Sequence, residues 1–280
     1  MALRGKKPEA TEKRLKALFF GEPGSGKTTA AIQFPRPYLI DTEKGAENEQ
    51  YVKKINAVGG AVFQSNDFTE ITREVTSLLS EKHEFRTLII DPITTIWDDQ
   101  LNKAEAKVGS EFGRHYGEAK KAWKRLNNLL LRLDMNVIVT SHQKNLYGDG
   151  MALIGKTYDG PKGLDYMFDM VFEVQRRGKE RAGIIRKTRL ESFPEGEAFP
   201  FSYEEIAKRY GREVLERDAL PVALIDAGTA SRLQELLDAR KDGADLLDKW
   251  LTKAQADDIA ELPADVAAKC IAFLLNKEAA

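Results

Sequence analysis

The sequence predicts an α/β fold: a mostly parallel sheet covered by helices on both faces, a late antiparallel edge hairpin, and a small C-terminal helical module. Three observations predict it. Short apolar runs alternate with amphipathic stretches through the first half of the chain. Two apolar runs around a Gly-containing turn follow Pro161. From about residue 226 the composition shifts to Ala, Leu and Asp.

The elements follow in order. Lys16–Phe20 is an apolar strand ending at Gly21, and a helix runs from Lys27 to about Gln33, where Pro35 and Pro37 end it. Tyr38–Asp41 is a second strand and Ala61–Phe63 a short third. Asp67 caps an amphipathic helix with Ile71, Val75, Leu78 and Leu79 on one face. Thr87–Asp91 is a strand stopped by Pro92. A long helix covers about 112–133, and Asn136–Thr140 is a strand rich in β-branched residues. Met170–Arg176 and Ala182–Thr188 pair through the turn Arg177-Gly178-Lys179-Glu180 as a hairpin at the sheet edge. Residues 192–202, with Pro194, Gly196 and Pro200, read as loop, and Ser202 caps a helix to Tyr210. Three apolar helical faces follow, carried by Leu233, Leu236 and Leu237, by Leu246, Leu247, Trp250 and Leu251, and by Val266, Cys270, Ile271 and Leu274. The expected divisions are a flexible basic arm (1–14), a core (15–212), a linker (213–225) and the helical module (226–280).

Composition excludes several classes. At 42% hydrophobic and 31% charged residues, the chain reads as soluble and globular. The formal net charge of −1 leaves no global field for nucleic acid, so any such contact must come from local patches. The module has eleven acids against seven Lys and Arg, which disfavours direct DNA binding there. Cys270 is the only cysteine, so the chain has no internal disulfide and no Cys-based zinc site. That usage, with no apolar stretch long enough for a membrane span, sets the expectation of a cytoplasmic protein.

The strongest motif is Gly21-Glu22-Pro23-Gly24-Ser25-Gly26-Lys27-Thr28, which matches G-x-x-x-x-G-K-[ST] at every fixed position between a strand and a helix. Gly24 and Gly26 let backbone N–H groups face phosphate oxygens, Lys27 reaches the β- and γ-phosphates, and Thr28 ligates Mg²⁺, with Thr29 completing the site. The expected ligands are therefore a nucleoside triphosphate, taken as ATP, and Mg²⁺. Leu88-Ile89-Ile90-Asp91 is an apolar strand ending in an acid, a Walker B pattern that puts Asp91 opposite Thr28 on the metal. Tyr38-Leu39-Ile40-Asp41-Thr42-Glu43 ends in acids just after the P-loop helix, and Glu43 is the candidate that orients the attacking water; the alternative is that Asp41 or Glu43 caps the next turn. Val137-Ile138-Val139-Thr140-Ser141-His142-Gln143 offers Gln143, with His142 as runner-up, to contact the γ-phosphate.

These four features in this order resemble the RecA-type recombinase core, over about residues 14–200. The resemblance implies a catalytic Glu at the acid-rich strand end and a γ-phosphate sensor at Ser141-His142-Gln143. There the Gln matches the family's Asn-Gln and the preceding residue departs from it. It implies a mobile DNA-binding loop at about 144–163, holding Lys144, Tyr147, Lys156, Tyr158, Lys162 and five glycines. Cations there meet phosphates and rings stack on bases, each stacked base contributing about 1–3 kcal/mol. It implies that Lys187 and Arg189, alternating onto one strand face, act across a subunit boundary on a neighbour's γ-phosphate. Such a trans cation is worth about 10³–10⁵ in rate elsewhere. The short chain looks closest to small phage RecA-like ATPases of single-strand annealing. That implies a DNA-stimulated ATPase in the host cytoplasm that binds single-stranded DNA and assembles with itself as a ring or filament. The C-terminal module would dock a partner, a single-stranded-DNA-binding protein being the candidate.

Two other readings compete. One is a nucleotide-switched binding protein with little turnover. The other is a small-molecule kinase, which would need an Arg-bearing lid and fits Glu43 and the late Lys187/Arg189 strand poorly.

Overall fold

The structure, a computed structural model, describes residue 7 and residues 12–278. Most of the expected arm, including Arg4 and Lys6, lies outside the described residues. Arg14 does not belong to a free arm. It is buried, and its guanidinium donates to the carbonyls of Val214, Arg217 and Asp218 at 2.7–2.8 Å and pairs with Asp134 at 3.2 Å.

The chain begins with β1 (Lys16–Phe20), α1 (Lys27–Ala31), β2 (Pro37–Asp41), α2 (Glu49–Ala57) and β3 (Ala61–Gln64). Then come α3 (Phe68–Ser80), β4 (Thr87–Asp91), α4 (Ile93–Val108), α5 (Arg114–Arg132) and β5 (Asn136–Ser141). A separate hairpin, β6 (Gln143–Tyr147) with β7 (Leu153–Tyr158), precedes α6 (Leu164–Met167). The pair β8 (Met170–Arg177) and β9 (Glu180–Lys187) is followed by β10 (Ala198–Pro200), α7 (Tyr203–Tyr210) and α8 (Arg212–Glu216). Three helices close the chain: α9 (Ala227–Asp238), α10 (Gly243–Ala254) and α11 (Ala264–Glu278).

Among the described residues, eight strands form one sheet in the order β10-β9-β8-β1-β5-β4-β2-β3. The pairs from β8 through β3 are parallel, and β8-β9 and β9-β10 are antiparallel. The period-2 alternation of the strands divides the apolar residues between two layers. Leu18, Phe20, Ile40, Leu88, Ile90, Val137 and Val139 pack on α3, α4 and α5. Ala17, Phe19, Leu39, Ile89 and Ile138 face the other way, onto α1, α7 and the aromatic group of Phe172, Phe193, Phe199 and Phe201. The expected α/β class, with helices on both faces and late antiparallel strands, is the observed one.

The caps explain the helix starts that the sequence made legible. Asp67 accepts from the N–H groups of Thr69 and Glu70 at 2.9 Å, and Ser202 accepts from Glu205 N–H. Four elements depart from expectation. Pro92 ends β4 but also precedes α4, whose Ile93, Ile96 and Trp97 are buried. In α2 only Ile55 is buried, so its periodicity is faint. Residues 198–200 are a strand, because Phe199 and Phe201 share one core-facing side that Pro200 masks. That strand, and not the β8-β9 hairpin, lies at the end of the sheet order.

The stretch expected as a linker is held along the core. Asn136 donates to Leu215 O at 2.8 Å, and Val222 N–H donates to Leu79 O at 2.8 Å. The three final helices enclose their own apolar cluster, including Leu233, Leu236, Leu237, Leu262 and Cys270. Buried Glu261 joins them to α5, accepting from Arg125 at 2.7 Å while its carbonyl accepts from Arg132 at 2.7 Å.

Candidate nucleotide site

Parallel strands put the carboxyl ends of β1, β2, β4 and β5 side by side, and the P-loop, Asp91, Glu43 and Gln143 all lie at that edge. The P-loop leaves β1 at Gly21. Gly24 and Gly26 hold φ of +74° and +98°, the left-handed region where a side chain is strained. Ser25 Oγ is buried without a partner among the described residues, the condition of a group that awaits a ligand oxygen. Lys27 Nζ donates to Gly21 O at 2.9 Å and Glu22 O at 3.1 Å. Burial lowers the Lys27 pKa below the usual lysine value, while Asp91 and Glu43 pull it back up.

Asp91 accepts two hydroxyls. Thr28 Oγ1 donates to Oδ2 at 2.5 Å and Thr140 Oγ1 donates to Oδ1. Burial pushes the Asp91 carboxyl up, and the two hydroxyls and Lys27 oppose that shift. Hydroxyl and carboxylate are hard oxygen donors, and Mg²⁺ takes one or two carboxylates and keeps water and phosphate for its other positions. Thr28 and Asp91 therefore fit this ion. No group of three His, Cys, Asp or Glu ligands converges among the described residues, so the donor set suits Mg²⁺ better than a protein-caged metal.

The two acids after β2 have separate environments. Asp41 accepts the N–H groups of Glu43 (3.3 Å), Gly45 (3.1 Å) and Ala46 (2.8 Å), so it is the turn cap. Glu43 is left half-exposed, accepting from Thr95 Oγ1 at 2.8 Å, with His142 Nε2 at 3.4 Å. Gln143 does not reach Glu43. It lines a cavity of about 540 Å³ beside Glu22–Ser25. The end of β5 thus supplies two polar groups: His142 next to Glu43, and Gln143 next to the P-loop.

Residues 13–198 match a family model described as an AAA domain. The chain belongs to this AAA domain family. No curated protein matches it. A solved structure titled as the RadB recombinase shares 20% identity, covering 68% of this chain and 88% of that one, with a TM-score of 0.45. Family membership and the loop geometry make this AAA-domain chain a P-loop ATPase domain, whose expected ligands are a nucleotide and Mg²⁺.

The remaining candidates of the AAA-domain chain fall in two places. The 144–163 segment is not a structureless loop. Most of it is the β6-β7 hairpin, which starts at Gln143 and returns to the P-loop through an ion pair of Lys156 with Glu22. Lys144 pairs with Asp159 at 3.0 Å. Tyr158 is turned inward: its hydroxyl donates to Asp165 at 2.7 Å, and burial pushes its pKa up to about 12. Tyr147 and Lys162 are exposed, and so are the apolar Leu146, Met151, Leu153 and Ile154. Lys187 and Arg189 lie away from their own P-loop. Lys187 pairs in register with Val171, next to the start of β8, and donates to Asp165 O at 2.5 Å and Phe168 O at 2.9 Å. Arg189, just past the end of β9, pairs with Asp169 at 3.0 Å.

At the P-loop end of the same hairpin stand two arginines that motif reading missed. Arg176 and Arg181 face each other across the β8-β9 ladder and line a cavity of about 350 Å³ with Gly24, Gly26, Lys27 and Thr28. Their signal in the sequence is the density of basic residues around Gly178, a stretch that also fits a plain turn.

Proposed function

We propose that this AAA-domain protein is a RecA-like ATPase that binds single-stranded DNA and promotes recombination or strand annealing. One juxtaposition carries the reading. The metal candidate Asp91, the water-orienting candidate Glu43 and the γ-phosphate candidates Gln143 and His142 ring the P-loop, and the hairpin with the nucleic-acid candidates grows directly out of that ring at Gln143. A change at the nucleotide is therefore one residue away from the hairpin.

The chemistry follows from placement. P-loop N–H groups and Lys27 bind the polyphosphate. Lys27 gives up two loop carbonyls for phosphate oxygens. Thr28 and Asp91 would hold Mg²⁺, which would supply charge neutralisation to the phosphates. Glu43 orients the attacking water, and His142 and Thr95 hold the Glu43 carboxylate in place. Exposed Tyr147 and Lys162, with Lys144 and Lys156 released from their exposed ion pairs, contact the strand. Lys187 and Arg189, which lie away from their own P-loop, would leave their bonds to the 165–169 segment to act on a second copy's nucleotide. The helices α9–α11 dock a partner such as a single-stranded-DNA-binding protein.

The test is ATP turnover with single-stranded DNA, with double-stranded DNA and with none. Stimulation of several-fold by single strands alone is expected. Equal rates in all three conditions would reduce the reading to a DNA-independent ATPase. The Lys27→Ala variant is expected to lose nucleotide binding or turnover, checked by equilibrium binding and phosphate release.

A further inference from the structure

Cross-strand neighbours of like charge destabilise a ladder unless something compensates them. Arg176 and Arg181 are directly opposite in the β8-β9 register. Among the described residues neither forms an ion pair, and Arg176 makes only an Nε–H bond to Gly178 O at 3.0 Å. Arg181 Nε is buried and has no partner among the described residues. It leans on the P-loop: a Cβ built on Gly26 would lie 1.9 Å from Arg181 Nε and 2.5 Å from its Cδ. The cavity they line also receives Lys27 and Lys54, and none of its described lining residues is an acid. Four cations thus converge beside the phosphate-binding backbone with no protein anion among them. Glu43, Asp91 and His142 do not line this cavity, while Arg176 also borders the neighbouring cavity of Gln143.

We propose that Arg176 and Arg181 form a cis-acting clamp on the nucleotide, binding the phosphates that remain in the diphosphate product. The proposal rests on the nucleotide reading above and adds residues to it. Guanidinium forks match phosphate oxygens bidentately, and a polyphosphate between the two arginines turns their mutual repulsion into shared attraction. The hairpin already rests on the loop through Arg181, and a bound polyphosphate would hold it there. A side chain at Gly26 would also have to displace the Arg181 side chain from the loop.

The test measures binding of fluorescently labelled ATP and ADP, with Mg²⁺, to the full chain and to Arg176→Gln, Arg181→Gln and Lys27→Ala. Melting temperature is recorded for each with and without nucleotide. Each arginine variant is expected to weaken ATP and ADP equally, by roughly ten- to a hundred-fold. Without nucleotide its melting temperature should equal or exceed that of the parent, and the nucleotide-induced rise should shrink. If Lys27→Ala abolishes binding while both arginine variants bind within about two-fold of the parent, the clamp is overturned and the P-loop reading stands. A loss confined to ATP would overturn the assignment to the diphosphate side. A fall in melting temperature without nucleotide, with affinity intact, would make the pair structural. If the parent itself fails to bind either nucleotide, the underlying reading fails instead.

Discussion

Two residues apart, Asp41 and Glu43 have different tasks because the backbone turns between them. Asp41 is consumed by three N–H groups, and Glu43 is carried past the turn to face Thr95 and His142. Replacing Asp41 with Ala should cost about 1–3 kcal/mol in urea unfolding, since three donors lose their acceptor. Glu43→Gln should change stability by less than about 0.5 kcal/mol. It should keep ATP affinity and lower turnover by about 10²–10⁴, seen in single-turnover phosphate release. Lys16 presents a buried-charge problem of a different kind. Its ammonium closes α5 by donating to Leu130 O, Leu133 O and Met135 O at 2.9–3.0 Å, and burial drives its pKa down to about 7. An amine with a folded pKa below its unfolded value binds fewer protons when folded. The unfolded chain binds the extra proton between pH 7 and the ordinary lysine value, so stability rises with pH across that window and is flat below it. Lys16→Met should abolish that rise and lower stability by about 1–3 kcal/mol near pH 7, measured as urea midpoints at paired pH values.

At the level of elements, the β6-β7 hairpin separates tyrosines that the sequence treats alike. Tyr147 is exposed, with its hydroxyl accepting from Asn145 at 3.2 Å, whereas Tyr158 is committed to Asp165. Under the single-strand reading, Tyr147→Ala should weaken DNA binding by about 1–3 kcal/mol with an unchanged salt slope. Lys162→Ala should lower the slope of log K against log salt by about 0.7. Tyr158→Phe should leave DNA affinity alone and cost about 0.5–1.5 kcal/mol of stability through the lost hydrogen bond. Fluorescence anisotropy over a salt series separates the three. The hairpin was illegible as strands because its glycines and exposed apolar residues give neither clean alternation nor a buried face. By contrast α3 was legible in full, since a capping Asp and four apolar residues at helical spacing need no tertiary partner to be seen.

For the whole molecule, the decisive fact is which end of the sheet a residue occupies. Lys187 and Arg189 sit near the start of β8, and Arg176 and Arg181 beside the P-loop, although all four belong to one β8-β9 unit or its exit. A strand rises about 3.3 Å per residue, so a few positions along β9 decide between the two sites. If Lys187 and Arg189 serve a neighbour, mixing Lys187→Ala or Arg189→Ala with Glu43→Gln should restore part of the lost turnover. The recovery should grow with protein concentration. Failure to recover at any concentration would confine both residues to their observed bonds with Asp169 and the 165–168 backbone.

The sequence alone determined the nucleotide loop, the acid-ended strands and the alternation that makes a parallel sheet, because these depend on local spacing and on glycine, lysine and threonine at fixed offsets. Only the tertiary structure decided which acid caps and which faces the site, that His142 and not Gln143 meets Glu43, and that Arg181 rests on Gly26. Those choices depend on register between strands distant in sequence, and a one-residue slip would turn each side chain to the opposite face.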